Sequence, residues 1–283
     1  MNLLDDPDQE VYRHVQNKLV SLGPSIIPSL ESFWENSFDP VLHERIEDLI
    51  HQIQFNLVCQ DLKEWSASSH QNLLQGAILV ARYQYPELDS QKIISQVERL
   101  RKEIWLEMNY NLTPLEQVNV FNHVLFSLHN FSPNTINIHD PQNAYLNILL
   151  ETKKGNPISL GILYLVLGQS LKMPVLGVNL PQHFVVSYHK NMLAGSESEQ
   201  EVRSGVLFYI NPFNKGIIFS REDISLFLKK LKLENQPEFY LPCDNRIIIN
   251  QLITSLIHSY ELAGVALKVR ELSYLRELIG TAA

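Results

Sequence analysis

Lys154-Gly155-Asn156-Pro157-Ile158-Ser159-Leu160 opens a run that continues almost without a polar break to Leu171. Asn156 followed by Pro157 is the pattern of a capping side chain and a first-turn proline, so the stretch opens a helix. That helix is apolar on every side, and such a helix has to be buried within protein. Its densest part, Ile158 to Leu167, has about half of the roughly 20 residues that a bilayer span requires.

Downstream the pattern changes to short strands. Val175–Val178, His183–Tyr188, Val206–Ile210 and Ile217–Phe219 are rich in β-branched and aromatic residues and alternate locally. The polar segment from Lys190 to Ser204, with Gly195 and several Ser and Glu, reads as a flexible hairpin tip. Ser220 predicts a cap, with Glu222 and Asp223 in a first turn where the helix dipole favours them. Pro237 and Pro242 mark a linker, and Asp244 caps a final helical hairpin broken near Gly264.

Upstream, helical periodicity runs almost throughout residues 1 to 130. Val11, Val15 and Leu19 mark a first helix stopped by Gly23-Pro24, and Ile26 to Trp34 a second, ended near Asp39-Pro40. Ile46, Leu49, Ile50 and Ile53 predict a third, and Leu57, Val58, Leu62 and Trp65 a fourth. Two more follow, on the faces Leu73/Leu74/Ala77/Ile78/Ala81 and Ile93/Ile94/Val97/Leu100/Ile104/Met108. Short helices in antiparallel pairs suggest a HEAT-like array, without a strict period. Thr113-Pro114-Leu115-Glu116 has the form of a capping box, and Asp140-Pro141 caps a short helix through Leu149 and Leu150. The expected fold class is therefore α+β. The expected domains are a helical array over 1–110, a core of helix plus small antiparallel sheet over 111–235, and a helical hairpin over 236–283.

The chain has 283 residues and a net charge of −8, with 45% hydrophobic residues. This composition excludes collagen-like, disordered and disulfide-scaffold classes, and the acidic balance argues against a nucleic-acid partner. Two cysteines, Cys59 and Cys243, suit a reducing compartment. Asp5, Asp6 and Asp8 stand where a signal peptide would carry positive charge. A cytoplasmic location with no membrane partner is the expectation.

Taken together, Asn143-Ala144-Tyr145-Leu146-Asn147, the Lys154 to Leu160 run, Pro181-Gln182-His183-Phe184 and Ile210-Asn211-Pro212-Phe213-Asn214 resemble the bacterial SirB-type branch of the transglutaminase-like superfamily. The likeness covers residues 70 to 283, and the final hairpin resembles that branch's tetratricopeptide-like tail. Active members of the superfamily carry a cysteine nucleophile at the N-terminus of the buried helix, a histidine on a following strand and an Asp or Asn on the next. A helix N-terminus and an imidazolium both stabilise thiolate, and the third group orients the imidazole. By position, the resemblance puts His183 in the histidine place, Asn211 in the third place and Pro157 in the thiol place. Proline has no nucleophile. His183 and Asn211 are expected within hydrogen-bond reach of each other.

Ser159 is the other candidate nucleophile. At about 100° per residue it lies roughly 200° around the helix from Pro157, so its hydroxyl is better placed to cap than to meet His183. His183 and His189 share a strand face, yet no Cys, Asp or Glu completes a metal set, and no cofactor or metal is expected. Two functions stand open. The first is a non-catalytic transglutaminase-like protein that binds a protein or peptide partner. The alternative is a divergent hydrolase or acyltransferase using Ser159 and His183. The sequence leaves the oligomeric state undetermined.

Overall fold

A computed structural model of the chain describes residues 4–5, 8–109, 111–181, 183–190 and 205–280. The helix expected at Asn156-Pro157 is present as α8, Pro157–Ser170. The Asn156 side chain accepts the Ser159 N–H, and the Ser159 hydroxyl accepts the Asn156 N–H in return. Ile158, Leu160, Leu163, Tyr164 and Leu167 are buried on its different sides.

One side of α8 is covered by a four-stranded sheet of β3 (Val175–Leu180), β4 (His183–His189), β5 (Val206–Asn211) and β6 (Ile217–Phe219), each pair antiparallel and in chain order. Val178 pairs with Val185, Val186 with Ile210, and Ile210 with Ile218. Helix and sheet meet closely because residue 161 is glycine, and a Cβ there would overlap the Phe184 ring.

Strand alternation divides the sheet's side chains between two cores. Phe184, Val186, Tyr188 and Ile210 face α8 and belong to the main core. Val178, Leu180, Val185 and Tyr209 face the other way, beneath Ile224 and Leu228 of α9 (Arg221–Lys230) and the ring of Tyr240. The sheet is thus the middle layer between two sets of helices, an α+β arrangement.

The remaining sides of α8 are covered by α4 (Leu73–Gln84), α5 (Ser90–Glu107), α7 (Leu146–Thr152) and α10 (Asn245–Leu262), with α11 (Ala266–Gly280) packed on α10. The main core accordingly takes residues from Val58 to Ile279. A smaller cluster around Leu19, Leu30, Ile46 and Leu49 joins α1 (Gln9–Ser21) and α2 (Ile27–Glu35) to the first half of α3 (Pro40–Ala67).

Two local expectations need correction, and one short strand pair is new. The separate helices predicted around Ile46–Ile53 and Leu57–Trp65 are one 28-residue helix, α3. Gln54-Phe55-Asn56 contains neither Gly nor Pro, so nothing there ends a helix. The helix predicted from Asp140 to Leu150 is in two pieces, a 3₁₀ turn over Pro141–Ala144 and then α7. Tyr145 between them is extended, with its ring buried edge-on against Tyr85. A two-residue parallel pair, β1 (Ser132–Pro133) with β2 (Lys154–Gly155), was too short to leave any periodicity. The hairpin tip expected up to Ser204 lies, from residue 191 on, outside the described residues.

Thr113 and Glu116 form the expected capping box at the start of α6 (Pro114–Asn122), which continues as one π turn over His123–Leu128. Among the described residues no helix is long and apolar enough to cross a membrane.

Candidate functional site

The N-terminus of α8 holds Pro157 at its first helical position, where a missing N–H costs nothing. Around it Asn156, Asn143 and Ser159 each have structural partners. The Asn156 Nδ2 donates to Ser255 Oγ on α10 at 3.1 Å. The Asn156 N–H donates also to the Asn143 carbonyl at 3.2 Å. Asn143 is buried, donates to the Asn137 carbonyl at 2.6 Å and accepts from Asn134 at 2.9 Å. Ser159 is 1% exposed, and its hydroxyl donates to the Asn143 carbonyl at 2.6 Å. The hydroxyl is thus spent on the backbone and shut away from solvent.

His183 begins β4 one residue before Phe184. Since Phe184 lies against α8, His183 projects from the opposite face, with its ring 5.1 Å from Phe227 of α9. The Ser159–His183 pairing is therefore not assembled: the two side chains are on opposite sides of the sheet layer. Burial lowers the His183 pKa, and its Nδ1 is buried without a hydrogen-bond partner. Asn211 ends β5 on the same sheet face as His183, by alternation from Tyr209. Its Oδ1 accepts the Asn214 N–H at 3.2 Å and starts the 3₁₀ turn Pro212–Asn214. Among the described residues no hydrogen bond joins His183 to Asn211, contrary to the expected contact. Strand adjacency places them on one face but leaves each with its own local role.

A second Ser–His contact lies at the far end of β4. Ser187 Oγ is 2.9 Å from His189 Nε2, and both residues are buried. The same hydroxyl also lies 3.2 Å from the Leu176 carbonyl, so this pair is held within the sheet ladder. Neither thiol is activated: burial pushes Cys59 up to about 11 and Cys243 up to about 12. Among the described residues no three His, Cys, Asp or Glu side chains gather closely enough to hold a metal ion.

Two features were not foreseen from the sequence. One is a polar network that ties α11 to the body: Tyr145 and Tyr260 hydroxyls 3.1 Å apart, Tyr260 and Lys268 both on Gln84 Oε1, and Tyr83 and His51 both on Glu271. Its members are up to 220 positions apart, so no local pattern could reveal it. The other is an open hollow at the C-terminal end of α8, lined by Trp105, Leu106 and Met173 among others. The off-period exposure of Trp105 and Leu106 on α5 was its only trace.

A helix apolar all round, laid on a small antiparallel sheet with its first turn facing inward, is the core of a transglutaminase-like fold. Residues 91–254 match the family model of the transglutaminase-like superfamily, and the chain belongs to that superfamily. It is 34% identical over 156 residues to UPF0162 proteins of two Xylella fastidiosa strains, covering 54% of this chain and 50% of theirs. A UPF0162 protein of Vibrio cholerae is 27% identical over 207 residues, 71% of this chain and 72% of its own. F-box only protein 21 of Mus musculus is 31% identical over 71 residues, 25% of this chain and 11% of its own. The chain thus spans half the length of the Xylella relatives. No solved structure matches it significantly.

Proposed function

We propose that the chain is a non-catalytic transglutaminase-like protein, of the SirB-type branch, that binds a protein or peptide partner in the cytoplasm. The observation that carries this reading is the first turn of α8. Pro157 stands at the first helical position, where the resemblance puts the nucleophile, and the nearby Ser159 hydroxyl is buried and committed to the Asn143 carbonyl. Without a thiolate there, the helix dipole has nothing to activate. His183, on the far side of the sheet, offers no base to that turn. The HEAT-like reading of the N-terminal helices and the tetratricopeptide-like reading of α10 and α11 fit the same role, because helical layers supply extended binding surfaces. Two unactivated thiols suit a reducing compartment.

The test is turnover of amide and ester substrates by wild type and by His183→Ala. Equal, background-level rates are expected. Wild-type hydrolysis abolished by both Ser159→Ala and His183→Ala would overturn the reading in favour of a serine enzyme.

A further inference from the structure

The C-terminal end of α8 carries a hollow of about 710 Å³ between the last turns of α5 and the turn after α8. That volume lies within the roughly 300–1,000 Å³ range of sites that take up ligand groups. Its floor is apolar, with Met173 buried and Leu171 beside it. Its wall is a ridge formed by Trp105, 53% exposed, and Leu106, 72% exposed. Trp105 and Leu106 adjoin at the helix end and line both hollows, so their exposed apolar surface is continuous with the lining. A shallower hollow of about 470 Å³ continues past this ridge, lined by Arg101, Lys102, Trp105 and Leu106. The two together make a strip that suits an extended segment better than a single small molecule.

The strip is positive although the chain as a whole is acidic. Lys plus Arg number 23 against 31 Asp plus Glu overall. Yet Arg101, Lys102 and Lys172 line the two hollows, and no Asp or Glu does among the described residues. Arg101 is paired with Glu98 at 2.5 Å, so Lys102 and Lys172 supply the net charge. The positive rim attracts an acidic segment, and the apolar ridge beside it, which the charge alone does not supply, gives that segment an anchor.

We propose that this groove binds acidic peptide segments of partner proteins. One apolar side chain sits between Trp105 and Met173, and Asp or Glu residues on either side of it meet Lys102 and Lys172. The proposal rests on the binding-module reading above and names the partner's chemistry.

The experiment is affinity selection of a displayed library of randomised twelve-residue peptides on the full chain, followed by binding measurements on the enriched peptides. The expected winners carry Asp or Glu around an aromatic or aliphatic anchor and weaken as salt rises. Their Kd rises about tenfold or more in Trp105→Ala and in Lys102→Glu/Lys172→Glu, the effect of losing an anchor or reversing the rim charge. Both variants should keep the wild-type melting temperature, because the altered positions are on the surface. Winners that are basic or uncharged, or whose affinity either variant leaves unchanged, would overturn the groove proposal and leave the binding-module reading standing. A library that yields no enrichment would overturn both.

Discussion

The two ends of α8 are built for opposite purposes. At the N-terminal end Asn156 bonds Ser159 and Ser255, Ser159 bonds the Asn143 carbonyl, and the side chains of Asn143, Asn156 and Ser159 are packed out of reach of solvent. At the C-terminal end, Leu171 and Met173 lie under an open hollow beside an exposed tryptophan. The first turn of α8 is a structural joint that ties the helix to the 3₁₀ turn at Asn143 and to Ser255 of α10, while the C-terminal end is the one left accessible.

The largest effect should follow from opening the closed end. Asn156→Ala removes the cap on the Ser159 N–H and the bond to Ser255, both at a buried position. A loss of about 2–3 kcal/mol in urea unfolding is expected. A loss below about 0.5 kcal/mol would mean that the joint is not structural. Ser159→Ala comes next, at about 1–2 kcal/mol, since the Asn143 carbonyl and Asn156 N–H each lose one of their partners.

How much of this was legible in the sequence follows from the range of the interactions. The cap, the first-turn proline, the four strands and the α9 start are set by neighbours within four positions, and Asn156, Pro157, Ser220 and Asp223 announced them. The apolar groups at Ile46–Ile53 and Leu57–Trp65 read as two helices although no breaker separates them, and they are one, α3. The face on which His183 lies was hidden for a different reason. Position along a strand gives parity but does not say which face the buried helix will cover, and that is decided by Phe184 against Gly161. The Glu271 network assembles from distant segments and left no local pattern, and the groove left only the off-period apolar pair Trp105 and Leu106.

A smaller effect belongs to the sheet between the two ends. Burial lowers the pKa of both His183 and His189. Below the unfolded histidine value of about 6.5, the unfolded chain binds more protons than the folded one. Their contribution is therefore complete above that value and is lost as pH falls through the folded pKa values. Urea midpoints should drop between pH 7.5 and 5.5, and His183→Gln should flatten part of the slope. A midpoint that rises towards acid would contradict the burial assigned to these rings. The smallest stability effect is expected at the open end, where Trp105→Ala should change unfolding by about 0.5 kcal/mol or less. A larger loss would show that Trp105 is part of the core.

The most direct test of the central claim puts a thiol back. In Pro157→Cys the sulfur stands at the α8 N-terminus, whose dipole alone lowers its pKa somewhat from about 8.5. The pH profile of its alkylation by iodoacetamide should be the same in Pro157→Cys and in Pro157→Cys/His183→Ala, with Cys59 and Cys243 reacting slowly in both. That result follows if His183 faces Phe227 across the sheet from α8. A thiol pKa that rises by about a unit or more when His183 is removed would show the imidazole beside residue 157, and would contradict the account.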